Sequence, residues 1–296
     1  MKDKVLVTNK PSLITNQFNL MDYYNLNDLD EVKLAFEYEE SFSDKIRAIL
    51  IAKNIQLIGG KRLDKLVQSM YMEKFGIRHP KTYFNKTTYE PFKDIHTFDS
   101  YTDLDEFVVK PITGARGVGV KKITRSEYKR CLENENEVSK VFKEEKEFLE
   151  KNSPDVSSYY IESSFRGDML VQEPIDVARE FRLLLFKPDD FLIYERVKTE
   201  GQFCGNLSHG SEALPVDEWT IETYIKPLLP KLHLMMDELK YPWLSIDVYV
   251  DKDVNVGVFE FQMEFAYEGF KPKEVKTLMT KSIEHYIQLS KKPQFR

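Results

Sequence analysis

The stretch that decides the fold is Phe107-Val108-Val109-Lys110-Pro111-Ile112-Thr113-Gly114-Ala115-Arg116-Gly117-Val118-Gly119-Val120. A β-branched apolar run ends in a lysine, three closely spaced glycines follow, and a second apolar run continues through Val120 and Ile123. This reads as a hairpin with a glycine-rich tip. Glycines reach positive φ and let backbone N–H groups close around an anion, and Lys110 adds a point charge beside them. No Gly-Lys-Ser/Thr is present, so the loop is not a Walker loop. The glycines are spaced G-x-x-G-x-G and a strand follows, so it is not a dinucleotide fingerprint either. Taken alone, the pattern allows both a phosphate cradle and an ordinary glycine-rich hairpin.

Outward from this stretch, the chain of 296 residues is long enough for two or three small domains. No apolar run approaches a membrane-spanning length of ~18 residues, and Val5–Val7 near the start is too short for a signal peptide. Two cysteines, Cys131 and Cys204, suit a reducing compartment, and the cytoplasm is the expected location. The net charge of −6 argues against a nucleic-acid partner. Five scattered histidines show no metal-ligand spacing.

The N-terminal part reads as a strand at Lys4–Asn9, an aperiodic polar and aromatic stretch at Tyr23–Glu40, a helix capped by Ser41 or Ser43 and running to Lys53, and a strand at Ile55–Ile58 entering Gly59-Gly60. A helix over Leu63–Phe75 ends at Gly76. Beyond the hairpin, Ser126 to about Leu149 carries a helical stripe of Val138, Val141, Phe142, Phe148 and Leu149. Met169–Gln172 is a strand, Glu173–Asp176 a turn, and Glu180–Phe186 a long apolar strand. Phe191–Val197 pairs back across Lys187–Asp190. A helical pattern over Trp219–Leu239 must be kinked or split at Pro227 and Pro230. In Leu244–Val250, Ser245, Asp247 and Tyr249 share one face. In Val258–Phe265, Glu260, Gln262 and Glu264 oppose Phe259, Phe261, Met263 and Phe265. A turn around Lys252–Asn255 superimposes the two polar faces, so Asp247 and Glu260 can share a hard cation, or the hairpin simply shows water a polar side. Pro272–Leu289 is a closing amphipathic helix.

Phe-Val-Val-Lys-Pro followed by G-x-x-G-x-G-Val resembles the lid loop of the ATP-grasp superfamily. Leu-Asp-Lys-Leu with Gly-Ile-Arg-His-Pro-Lys-Thr resembles the segment that carries its first ATP lysine. Arg196 followed ten residues later by Asn206-Leu207 looks like the amino-acid and peptide ligases within it, of glutathione synthetase and ribosomal-protein glutamate ligase type. The resemblance implies an α+β ATP-grasp fold. A reduced N-terminal α/β domain spans 1–75, a lid subdomain 76–172, and a C-terminal antiparallel-sheet subdomain with a metal site 173–296.

For the site, the resemblance implies ATP held by Lys65, Lys110, Gly114, Arg116, Gly117 and Gly119. Glu173, Pro174 and Ile175 read adenine, Glu180 takes the ribose, and Asn206 lies by the phosphates. Mg²⁺ (two ions, with Mn²⁺ as a substitute) falls to Asp247, Glu260 and Gln262, unless Glu264 takes the place of Gln262. Arg196 and Lys110 are the catalytic residues. The implied activity is an ATP-dependent carboxylate–amine ligation through an acyl phosphate, releasing ADP and phosphate. Its partners are small-molecule or peptide acids and amines, and a homo-oligomer fits as well as a monomer. The chain departs from the pattern at Gln262, where the family has Asn, at Cys204, where it has a base, and in lacking the Pro-Gly after the metal strand. Cys204 implies a different acid-substrate pocket; a phosphotransferase that stops at a phosphorylated product stays open, and Gln262, the missing Pro-Gly and the reduced N-terminal domain keep open a non-catalytic nucleotide-binding module.

Overall fold

The computed structural model of the chain describes residues 4–8, 19–22, 32, 34–38, 42–60, 62–84, 104–112, 119–143, 147, 169–198, 211–264 and 269–290. The first sheet is parallel, with order β2-β1-β3-β4, from β1 (Lys4–Thr8), β2 (Asn19–Asp22), β3 (Leu34–Tyr38) and β4 (Gln56–Gly60). Between β3 and β4 runs α1 (Asp44–Ala52), whose first turn is closed by the Ser43 hydroxyl accepting from the Ile46 N–H. Leu50 of α1 packs with Val32, Ala35, Phe42 and Ile55.

β3 lies inside the stretch that reads as aperiodic. Its five residues are all buried, as befits an internal parallel strand covered on both faces, so no alternation marks it. It also carries Glu37, only 1% exposed. The Arg47 guanidinium holds that carboxylate through Nη2–Oε1 at 2.6 Å and Nε–Oε2 at 3.1 Å, and the Phe42 N–H donates to it at 3.1 Å. Arg47→Ala strands a buried carboxylate. Because Arg47 itself is part-exposed, the expected loss is about 2–3 kcal/mol, below the ~3–5 of a fully buried pair, read from the denaturation midpoint. Arg47→Lys should recover part of it.

α2 (Lys65–Lys74) follows, with Asp64 accepting from the Val67 N–H at 2.9 Å and Phe75 closing the helix before Gly76. The second sheet is antiparallel, order β5-β8-β6-β7, from β5 (Thr82–Phe84), β6 (Glu106–Pro111), β7 (Lys121–Thr124) and β8 (Met169–Gln172). The β6–β7 pair is the hairpin expected around the glycine loop, and Gly119 sits in it at φ +73, a conformation a side chain disfavours. The segment expected to be helical after it forms two helices, α3 (Arg125–Glu133) and α4 (Glu135–Val141), with Val138 and Val141 of the stripe on α4 and Phe148 and Leu149 outside the described residues. The two helices divide at Asn134, whose side chain caps α4 by accepting from the Asn136 N–H at 3.0 Å.

The third sheet is antiparallel throughout, order β11-β10-β9-β12-β13. Its strands are β9 (Val177–Phe186), β10 (Asp190–Val197), β11 (Glu212–Leu214), β12 (Trp243–Asp251) and β13 (Val256–Gln262). Phe181, Leu183, Leu185, Leu244, Ile246 and Val248 share one buried face with residues of α5 (Leu229–Leu239) and α6 (Pro272–Ser290). The expected split before α5 is seen: a helical turn at Glu218–Thr220 passes into a π turn at Ile221–Ile225 before α5 begins. On the opposite face, Trp243 meets Phe36 of the first sheet with ring centroids 5.0 Å apart. That contact covers one end of the face and leaves its middle for polar side chains.

One face assignment is corrected. Asp247 pairs with Glu260 as expected, but Val248 pairs with Val258, so Phe259 is the extra residue of a bulge. It turns away from Phe261 and stacks on Tyr249 at 4.4 Å, on the Asp247 side of the sheet. Gly257 lies opposite Tyr249, where a Cβ would come within 2.4 Å of the ring.

Candidate active site

The polar middle of the third sheet is built strand by strand. Register sets Arg196 of β10 beside Glu180 of β9, Arg182 of β9 beside Asp247 of β12, and Asp247 beside Glu260 of β13. Paired residues of adjacent strands point the same way, so five charged side chains share one face. Arg196 Nη1 lies 3.1 Å from Glu180 Oε1 and 3.2 Å from Asp247 Oδ2. Lys198 Nζ is 3.3 Å from the other Glu180 oxygen. Arg182 brings Nε to 2.6 Å and Nη2 to 3.2 Å from Asp247, while its Nη1 donates to Ser245 Oγ at 2.8 Å. The Arg196 side chain is only 7% exposed, so this charge is fixed by partners and not by solvent.

Two buried lysines complete the cluster. Lys110, at the end of β6, acts on the Asp247 carboxylate. Lys65, the first residue of α2, has its N–H bonded to the Ile112 carbonyl just past β6, and Glu260 acts on its ammonium. Burial holds the Lys65 ammonium below the usual lysine range, with Glu260 the main opposing influence. Burial likewise pushes the Glu180 carboxyl up against the pull of Lys198 and then Arg196. It pushes Asp247 up against Arg196 and then Lys110. Helix α2 is pinned over this edge of the sheet by the Gln68 side chain, whose Oε1 accepts from the Phe261 N–H at 3.1 Å.

Lys65, Lys110, Glu180, Arg196, Asp247 and Glu260 thus come together from segments far apart in sequence. Glu173, Pro174 and Ile175 form the connection from β8 of the second sheet to β9 of the third. There the Glu173 N–H donates to the Lys81 carbonyl and its carboxylate accepts from the Tyr83 hydroxyl at 3.0 Å. Gly114, Arg116, Gly117 and Asn206 lie outside the described residues, as do Cys204 and His209. Arg182 and Ser245 carry no role in the sequence reading. The signal for both was present: Arg182 is two residues from Glu180 in an otherwise apolar run, and Ser245 two from Asp247, hence on the same faces.

Asp247, Glu260 and the Gln262 side-chain oxygen, on one hairpin face, are the residues that could hold a cation. Hard oxygens of this kind fit Mg²⁺ and not zinc. Both Asp247 oxygens lie against arginines, so a cation there would share the carboxylate with them. Glu264 lies 3.6 Å from Arg62. Among the described residues no three of His, Cys, Asp and Glu gather into a metal cluster, and no helix is long and apolar enough to cross a membrane.

No protein-family model matches the sequence, and no curated protein matches it by sequence. Solved structures do match by shape. D-alanine–D-alanine ligase from Bacillus anthracis, complexed with ATP, aligns over 97% of this chain and 96% of its own with a TM-score of 0.54 and 15% identity. The ATP-grasp ligase PsnB, complexed with minimal precursor, aligns over 96% and 99% with a TM-score of 0.54 and 12% identity. N5-carboxyaminoimidazole ribonucleotide synthetase from Thermotoga maritima aligns over 94% and 68% with a TM-score of 0.52 and 12% identity. The chain has the ATP-grasp fold. Its architecture is the one these ligases share, over almost the whole length of two of them.

Proposed function

We propose that the chain is an ATP-dependent carboxylate–amine ligase. The observation that carries this reading is the Arg196 guanidinium, fixed between Glu180 and Asp247 on the sheet face toward which buried Lys110 and Lys65 also converge. Such a cluster holds fixed positive charge against a polyanion without reorganising, as phosphoryl transfer requires.

In this reading, Lys65 meets the α-phosphate, Lys110 the following phosphates, and the loop with Gly114, Arg116, Gly117 and Gly119 closes over them. The β8–β9 connection at Glu173–Ile175 faces the adenine. Asp247, Glu260 and Gln262 would hold Mg²⁺, which supplies charge neutralisation on the phosphate oxygens when bound. An oxygen of the substrate carboxylate attacks the γ-phosphorus and ADP leaves. The amine nitrogen then attacks the acyl carbon, phosphate leaves, and the nitrogen loses a proton to give the amide. Arg196 and Lys110 neutralise the charge that grows on the transferring group, and the resemblance assigns Asn206 to the same phosphates. Arg182 is a positioning residue that sets the Asp247 carboxylate. The ribose role of Glu180 is the part this geometry supports least, because both its oxygens face cationic side chains.

A screen of ADP release across amino acids, peptides and polyamines tests the reading. Release that needs both an acid and an amine supports it. Release with a single substrate and a stable phosphoester product points to a phosphotransferase, and nucleotide binding without release to a binding module. Lys110→Ala is expected to weaken MgATP roughly tenfold to a hundredfold, the range of a charge-assisted contact, and adenosine little. Equal losses by calorimetry would make this lysine structural.

A further inference from the structure

Asp247 is the carboxylate on β12 that a cation would draw on, and one of its oxygens is already committed. Oδ2 accepts from Arg182 Nη2 at 3.2 Å and lies 3.2 Å from Arg196 Nη1. Oδ1 lies 2.6 Å from Arg182 Nε, but that contact is an ion pair without the direction of a hydrogen bond. Among the described residues this buried oxygen has no hydrogen-bond donor. Asp247 therefore offers a metal ion one oxygen and not two. A pair of divalent ions, about 3.5–4 Å apart, is held together by carboxylates that screen their repulsion. Here half of Asp247 is withheld and Gln262 is neutral, which leaves Glu260 as the main charged donor.

What withholds it is itself a cation. Arg182 faces Asp247 across the β9–β12 register, its Nη1 donates to Ser245 Oγ at 2.8 Å, and its side chain is only 17% exposed. A positive charge held in this way is fixed before any ligand arrives and costs no reorganisation. We infer that Arg182 takes the place of one of two metal ions, so that the site binds its nucleotide with a single divalent cation, shared by Asp247 Oδ1, Glu260 and Gln262. Arg182 remains a positioning residue, since it acts through Asp247. The inference rests on the nucleotide-binding part of the reading above. The charges agree with it. Lys65, Lys110, Arg182, Arg196 and Lys198 face Glu180, Asp247 and Glu260, a surplus of two positive charges. ATP carries about four negative charges at neutral pH, roughly two on its terminal phosphate and one on each of the others. One divalent ion closes that gap. A second leaves two positive charges over, more than one substrate carboxylate takes up.

The test uses the full chain with Mn²⁺, whose unpaired spins report both number and spacing, and with AMP-PNP, an ATP analogue that resists transfer of its terminal phosphoryl group. Mn²⁺ is titrated in at saturating AMP-PNP and followed by electron paramagnetic resonance. The expected result is one tightly bound ion per chain, with the spectrum of an isolated ion. Two ions with the spectrum of a coupled pair overturn the inference. Arg182→Met keeps an apolar stem without the charge, and should let the chain take up a second Mn²⁺ at least about tenfold more tightly than the wild type does. Arg182→Lys should stay at one. An unchanged count in Arg182→Met, with a melting temperature that shows the variant folded, overturns the role of Arg182. If that variant does not fold, the count in the wild type and in Arg182→Lys decides. AMP-PNP that fails to bind with or without Mn²⁺ removes the nucleotide reading and this inference with it. Nucleotide bound together with two ions removes this inference alone.

Discussion

Arg196→Ala is expected to lower turnover by roughly 10³-fold, the low end for an arginine that stabilises a transferring phosphoryl group, with ATP affinity changed only a few-fold. The split follows from where the residue sits. Its guanidinium is held by Glu180 and Asp247 at 3.1 and 3.2 Å. In the proposed reaction a guanidinium fixed in this way contributes most where negative charge develops on the transferring group, and less to the ground state. The same substitution leaves Glu180 buried with Lys198 as its remaining cation among these contacts, so some stability is lost as well. Arg196→Lys separates the two effects. It keeps a positive charge beside Glu180 and restores much of the stability, yet it lacks the planar fork and should recover little of the turnover. Turnover and stability recovering in parallel would assign Arg196 to the fold and not to the chemistry.

Glu260→Gln is expected to abolish Mg²⁺-dependent turnover, by at least about a hundredfold, since a metal ion that neutralises phosphate charge contributes several kcal/mol. The fold should persist. Glu260 is in register with Asp247 next to the β12–β13 bulge, and the amide keeps its size. Because Glu260 also acts on Lys65, its neutralisation should move the Lys65 ammonium further below the usual lysine range. That gives a second readout: a lower Lys65 pKa by NMR in the absence of nucleotide. Full activity in this variant would remove the hairpin from the mechanism. Gln262→Asn, by contrast, should be tolerated or should tighten Mg²⁺.

What was legible in the sequence was chiefly what short-range alternation encodes. The β6–β7, β9–β10 and β12–β13 hairpins each join neighbouring stretches, and Asp247, Glu260 and Gln262 could be placed on one face by counting in twos. β3 escaped because a parallel strand buried on both sides has no alternation. Its Glu37 looks like a surface residue until Arg47, ten residues on, is seen to hold it. Phe259 was misplaced because a bulge reverses the face without leaving a mark in composition. Arg182 was missed for a different reason. Counting in twos puts it on the Glu180 face, but what it holds is Asp247, 65 residues away, and that pairing exists only once β9 and β12 are laid side by side.

In the proposed reaction this site activates a carboxylate by phosphorylating it. The most direct measurement is hydroxylamine trapping with ATP, Mg²⁺ and the acid identified by the ADP-release screen. An acyl phosphate is electrophilic at carbon, so hydroxylamine in place of the amine should give a hydroxamate in step with ADP. The Arg196→Ala enzyme should form it at a rate lowered as much as its turnover. ADP released with no hydroxamate, and a stable phosphoester accumulating in its place, would contradict the account.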